Sequence, residues 1–239
     1  MSGHSKWNNI KRTKGKADAA KAASFTKIGR ELAVAVKAGG PDPDSNAKLR
    51  DIIAKAKAAN IPNDNIFRSI KKSAGELSSI NYEAVVYEGY GPGGSAVIVE
   101  TLTDNKNRTV GEIRHLFDKY GGSMGTSGCV SFMFETKGVL ILEKTAKSDD
   151  DEIMMTALDA GAADIVTAGD VYEIYTDGGS LFTVRESLEK QGFKFLSGEV
   201  EKIPSNYVTL DADTLDRFNT MIEKLEELDD VQNVFYNVE

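Results

Sequence analysis

Apolar residues in the first third of the chain recur every three or four positions, and beyond residue 80 the spacing drops to two. The first period belongs to one face of a helix and the second to one face of a strand. Phe25, Ile28, Leu32 and Val36 predict a helix from Asp18 that Gly39-Gly40-Pro41 stops. Leu49, Ile52, Ile53 and Ala56 predict a second helix, starting near Asp44 or Ser45 and broken before Pro62. Ile66, Phe67 and Ile70 predict a third, with all three inward, capped by Asn63 or Asp64 and ending at Gly75. The short connections make neighbours antiparallel, so the chain opens with a three-helix bundle.

Strand-like runs follow at Tyr82–Glu88 and Ala96–Thr103, joined across Gly89-Tyr90-Gly91-Pro92-Gly93-Gly94 as a hairpin. A helix over about 107–119 carries Val110, Ile113, Phe117 and Tyr120 on one face, and the glycine-rich stretch Gly121–Cys129 leads to a strand over Val130–Glu135. Residues 138–203 then run strand, helix, strand, strand, helix, strand, the order of a ferredoxin-like domain. The tail adds a strand near Tyr207–Leu210, a helix over Asp211–Leu228 and a last strand over Val231–Val238. These lack a partner set of their own, and we expect them to return to the sheet of 80–135. The expected class is therefore α+β: an arm and three-helix bundle (1–78), a discontinuous α+β domain (79–136 plus 205–239), and an inserted ferredoxin-like domain (137–204).

Charge changes the picture more than composition does. The chain of 239 residues carries a net charge of −8. Its first 75 residues hold 16 Lys/Arg against six Asp/Glu, a net of +10; the other 164 hold 13 against 31, a net of −18. A basic segment on an acidic body is the charge pattern of a nucleic-acid-binding arm. The opening 16 residues contain Lys6, Lys11, Arg12, Lys14 and Lys16 with no acid, a set suited to phosphates through counterion release. Trp7 is large enough to stack on a splayed base or to pin the arm to the bundle, the commoner use of a lone tryptophan. On the second helix Lys48 and Lys55, and Arg50 and Lys57, stand seven apart and stack along its outer surface. Lys106 and Arg108 lie beside a helix start at Asp104–Thr109, which suits either a phosphate or plain Asn capping. The loop 121–128 is open enough for backbone amides to approach RNA, or to be a connector.

Other chemistries find little support. His4 and His115 are far apart, and the chain has no HExxH, no G-x-S-x-G and a single cysteine, Cys129. Cys129 reads as a structural thiol in a reducing compartment. No apolar stretch approaches ~20 residues, and the basic start lacks the apolar core of a secretion signal. We expect a cytoplasmic protein with no active site, no cofactor, no metal, no membrane association and no small-molecule substrate.

Gly3-His4-Ser5-Lys6-Trp7, Ile10-Lys11 and Lys14, Tyr87-Glu88-Gly89-Tyr90-Gly91-Pro92-Gly93-Gly94, Asn107-Arg108-Thr109, and Gly121-Gly122 leading to Phe132-Met133-Phe134 together resemble the YebC/PmpR family, whose relatives include a mitochondrial translational activator of cytochrome oxidase. The similarity runs over essentially the whole chain. It implies three domains, the last inserted, and a DNA-binding transcriptional regulator. The alternative it implies is a ribosome-associated translation factor that helps difficult sequences, such as proline runs, through synthesis. The residues themselves incline toward RNA, because no helix-turn-helix followed by a dimerisation segment is present.

Overall fold

The computed structural model describes residues 19–75, 81–145 and 149–239. By internal contacts the chain divides into two compact units, described residues 19–132 with Val208–Val238, and Met133–Tyr207. The second lies within the first in chain order.

The first unit begins with helices α1 (Ala19–Gly39), α2 (Ala47–Ala58) and α3 (Asn63–Ala74). Ile28, Leu32, Ala35 and Val36 of α1 pack on Leu49, Ile52 and Ala56 of α2 and on Ile66 and Ile70 of α3. The join between α1 and α2 rests on Asn46, 7% exposed. Its Nδ2 donates to the carbonyls of Ala35 and Gly40, both at 2.8 Å, and its Oδ1 accepts from Leu49 N at 3.0 Å. One side chain thus closes one helix and caps the next. Gly40, at φ +85°, takes the left-handed turn between them.

Three sequence expectations for these helices are corrected. α2 starts at Ala47, capped by Asn46, rather than near Asp44 or Ser45, which bond within the preceding turn. α3 begins after Pro62 with no side-chain cap, so neither Asn63 nor Asp64 serves. Phe67 is also not inward: it is 62% exposed. Ile66 and Ile70, four apart, define the buried stripe, and Phe67 stands about 100° round the helix from Ile66.

Strands β1 (Glu83–Tyr90) and β2 (Ala96–Thr103) pair antiparallel through a short turn at Pro92–Gly94, and α4 (Lys106–Lys119) and β3 (Ser123–Met124) follow. Past Tyr207 the chain returns as α7 (Ala212–Glu227) and β8 (Val231–Tyr236), giving the sheet order β3-β1-β2-β8. Val97 and Val99 meet Ile113 and Phe117 of α4 and Phe218, Met221, Ile222 and Leu225 of α7 in one core. The strand expected near Tyr207–Leu210 reduces to a single parallel bridge between Val208 and Val238.

Met133–Tyr207 holds β4 (Phe134–Glu143), α5 (Asp150–Asp159), β5 (Asp164–Ala168), β6 (Val171–Asp177), α6 (Leu181–Lys190) and β7 (Phe195–Pro204). Its sheet is antiparallel throughout, in the order β5-β6-β4-β7. Each β-α-β connection therefore skips one strand. Leu140, Leu142, Tyr172 and Ile174 face Ile153, Ala157, Leu181, Val184 and Leu188 of the two helices. Asp149 caps α5 by accepting from Asp151 N and Glu152 N.

Within the first unit the helices are tied to the β1–β2–β8 sheet by a buried charge cluster. Asp230, 4% exposed, lies just before β8. Its Oδ1 pairs with Arg30 Nη1 of α1, which also donates to the Leu102 carbonyl at 2.9 Å. Its Oδ2 accepts from Arg108 Nη2 at 2.8 Å and from the Thr109 hydroxyl at 2.5 Å, with the Thr103 hydroxyl 3.1 Å away. Arg30 also lies over the Tyr82 ring, 5.3 Å from its centroid. Three residues along α1, Lys27 Nζ donates to the Glu226 carbonyl at 2.8 Å, at the C-terminal turn of α7, where the helix dipole favours a cation. Burial lowers the Lys27 pKa, opposed by the charges of Glu226 and Asp229.

Burial pushes the Asp230 carboxyl up, but hydrogen bonds from Thr109, Arg108 and Arg30 outweigh it and leave the group at about 2 against an ordinary 3.8. A carboxylate depressed on folding contributes stability that is complete above its unfolded value and lost as pH falls through the folded one. The difference corresponds to about 2 kcal/mol. Urea unfolding at pH 7 should show Asp230→Ala destabilised by about 3–5 kcal/mol, since it strands Arg30 in a buried setting. Between pH 4 and pH 2 the wild type should lose stability more steeply than Asp230→Asn; parallel pH profiles would remove Asp230 from this role.

Candidate nucleic-acid interface

The cations singled out from the sequence fall into three groups. Lys6, Trp7, Lys11, Arg12, Lys14 and Lys16 lie outside the described residues. The α2 group is described and divides in two. At 100° per residue, Lys48 and Lys55 lie on one flank of the helix and Arg50 and Lys57 on the opposite flank, with the buried Leu49–Ile52–Ala56 stripe between them. They do not form one face. Lys55 is half-buried and pairs with Glu31 of α1 at 3.0 Å. Lys48, Arg50 and Lys57 are exposed, and Arg50 also reaches the Pro43 carbonyl at 3.4 Å.

The third group sits at the start of α4, and its charges already have partners. Asn105 caps the helix, its Oδ1 accepting from Arg108 N at 3.1 Å. Lys106 pairs with Glu83 at 2.5 Å. Arg108 pairs with Asp104 at 2.7 Å as well as with Asp230, and those two carboxylates raise its pKa. Its side chain remains 41% exposed, so it borders solvent while acting as part of the clasp.

The glycine-rich loop is likewise organised from inside. Glu88, near the end of β1, is buried. Its Oε1 accepts from Gly128 N at 2.9 Å, and its Oε2 from Val130 N at 3.0 Å and Ser131 N at 2.8 Å. Burial alone would raise the Glu88 pKa, but these backbone donors outweigh it and the net shift is downward. The Glu88 carbonyl also accepts from Gly125 N at 2.8 Å. A Cβ at Gly125 would stand 2.5 Å from Cys129 Sγ, so the thiol would have to turn aside to admit one. Converging amides of this kind form an anion nest, and here the chain supplies the anion itself. The same bonds explain why the strand expected from Val130 begins only at Phe134: the amides of Val130 and Ser131 bond Glu88 instead of a neighbouring strand. Burial and the Glu88 charge both raise the Cys129 pKa, holding it as a neutral thiol.

The sequence reading passed over a further set. Arg68, Lys71 and Lys72 of α3 are exposed, beside the exposed Phe67. The signal lay in the four-residue step from Ile66 to Ile70, which alone fixes the inward face and turns positions 67, 68, 71 and 72 outward. His115 is exposed, and among the described residues no group of three or more His, Cys, Asp or Glu could hold a metal. No helix among the described residues is long and apolar enough to cross a membrane.

Replacing Glu88 with Gln should speed hydrogen exchange at Gly128, Val130 and Ser131 and make Cys129 react faster with a soluble disulfide reagent at pH 8. Unchanged exchange at all three amides would show that the carboxylate does not order this loop.

Residues 5–76 match the family described as the TACO1/YebC protein N-terminal domain, and residues 82–238 match the TACO1/YebC second and third domain. A protein of Acetivibrio thermocellus named "Probable transcriptional regulatory protein" is 59% identical over 238 residues, covering 99% of this chain and 98% of its own. One of the same name from Clostridium botulinum is 56% identical over 239 residues, covering 100% and 97%. Among solved structures, a conserved hypothetical protein from Aquifex aeolicus shares the fold with a TM-score of 0.84 at 43% identity, over 94% of this chain and 93% of that one. The chain belongs to the TACO1/YebC family.

Proposed function

We propose that the protein is a non-enzymatic regulator of gene expression that binds nucleic acid through its basic N-terminal portion. The carrying observation is the division of labour among the cations of the helical bundle. Lys27, Arg30 and Lys55 are turned to internal partners. Lys48, Lys57, Arg68, Lys71 and Lys72 are exposed and make no ion pair among the described residues. Exposed lysine and arginine left over after structural needs are met suit a polyanion. The arm cations Lys6, Lys11, Arg12, Lys14 and Lys16, outside the described residues, add five positive charges to this portion of the sequence, and Trp7 is either a base contact or an anchor for the arm. The relatives named transcriptional regulatory proteins point to the same class.

DNA and RNA divide the proposal. The relatives' names favour transcription and hence DNA. The sequence inclines toward RNA, because it carries no helix-turn-helix followed by a dimerisation segment, and a basic arm suits an irregular RNA. The strongly acidic remainder would repel a long duplex and tolerate a structured RNA surface such as that of a ribosome. Lys106 and Arg108 stay in the proposal as a secondary contact, reachable only where phosphate competes with Glu83 and Asp104.

If five arm cations meet phosphates, the slope of log K against log salt is roughly −3.5 to −4.5. Replacing Lys11, Arg12, Lys14 and Lys16 together with Ala should flatten it by about 2.8 to 3.6, read by fluorescence anisotropy with a 20-nucleotide RNA and a DNA duplex of matching sequence. An unchanged slope would remove the arm from the interface.

A further inference from the structure

The outward face of α3 combines an aromatic ring with a cluster of cations in a way the general charge pattern does not require. Phe67 is 62% exposed, although it is one of the largest apolar side chains on a short helix whose inward stripe is already filled by Ile66 and Ile70. Lys71 follows four residues on, the spacing that puts two side chains about 5–6 Å apart on one helix surface. Arg68 and Lys72 lie about 100° and about 140° round the helix from Phe67, on the same side as Lys71, so the cations form a basic edge along one side of the ring. One acid, Asp64, shares the face, leaving three cations to one carboxylate. An apolar partner protein would be matched by a wider apolar patch; a lone exposed ring with cations along one side is matched instead by a base that offers a π-face beside a phosphate.

We propose that the outer face of α3 is a contact for an unpaired nucleotide, with Phe67 stacking on the base and Arg68, Lys71 and Lys72 meeting the flanking phosphates. It rests on the nucleic-acid reading and deepens it, since it specifies single-stranded or splayed segments over continuous duplex. A base inside a duplex keeps both faces covered by its neighbours and offers Phe67 nothing. The ring of Phe67 supplies a sequence-tolerant platform, and the cations supply the salt-dependent share.

The test compares full-length wild type with Phe67→Leu, Phe67→Trp and the pair Arg68→Gln, Lys71→Gln, using a 20-nucleotide single-stranded RNA and a duplex of the same sequence. Phe67 contributes little to the core, so circular dichroism should be unchanged in every variant. Phe67→Leu keeps apolar bulk but loses the π-face, and should weaken single-strand binding about 5- to 150-fold with no change for duplex or in salt slope. Phe67→Trp should retain or improve single-strand affinity. The double Gln variant should flatten the single-strand slope by about 1.4, at roughly 0.7 per phosphate. Equal affinities for wild type and Phe67→Leu, or equal losses on single strand and duplex, would overturn the proposal. Absence of any wild-type binding would instead refute the nucleic-acid reading on which it rests.

Discussion

Asp230 holds two arginines, one from the first helix of the bundle and one from the helix behind the β1–β2 hairpin, and the organisation of the larger unit follows from that. A buried carboxylate is costly unless its charge is matched and its lone pairs are filled. Here Arg30 and Arg108 match the charge, and the Thr109 hydroxyl completes the shell with Thr103 beside it. Removing Asp230 would leave Arg30 buried without its charge partner, while Arg108, 41% exposed, keeps Asp104 and solvent. That coupling commits α1 to the sheet. With Lys27 on the last turn of α7, it also sorts the bundle's cations: those on this side of α1, and Lys55 of α2, are spent on the fold, and Lys48, Lys57, Arg68, Lys71 and Lys72 stay exposed.

A common theme joins Asp230 and Glu88. Both are buried acids in positions that, from sequence, resemble docking points for a foreign anion: a helix start flanked by Arg and Lys, and a glycine-rich loop full of backbone donors. In each case the protein carries its own anion. Glu88 fills the nest of Gly128, Val130 and Ser131, and Asp230 with Asp104 fills the fork of Arg108. These segments meet their charge and donor needs internally, which leaves the helical bundle and the arm as the candidate nucleic-acid contact.

The α+β class, the three opening helices and the β-α-β-β-α-β order of the smaller unit were legible because each rests on local periodicity. What escaped had long-range or angular causes. No rule of spacing pairs Glu88 with amides forty residues later, so the segment from Val130 read as a strand. The second helix starts at Ala47 rather than near Asp44 or Ser45, because Asn46 caps it while also reaching the carbonyls of Ala35 and Gly40 where the preceding helix ends. Phe67 was read as core because large aromatics usually are; the helix angle set by Ile66 and Ile70 decides otherwise. Arg108 looked like a free cation because its partner lies 122 residues away.

The central claim is that the basic bundle and arm, rather than the acidic remainder, hold nucleic acid. Ultraviolet crosslinking of the tagged protein in living cells, with denaturing purification, division between RNase and DNase, and mass-spectrometric mapping of the crosslinked peptides, tests it most directly. The account expects adducts on peptides from residues 1–75, removed by one nuclease, which then names the target as RNA or DNA. No adduct, or adducts confined to residues 82–238, would contradict it.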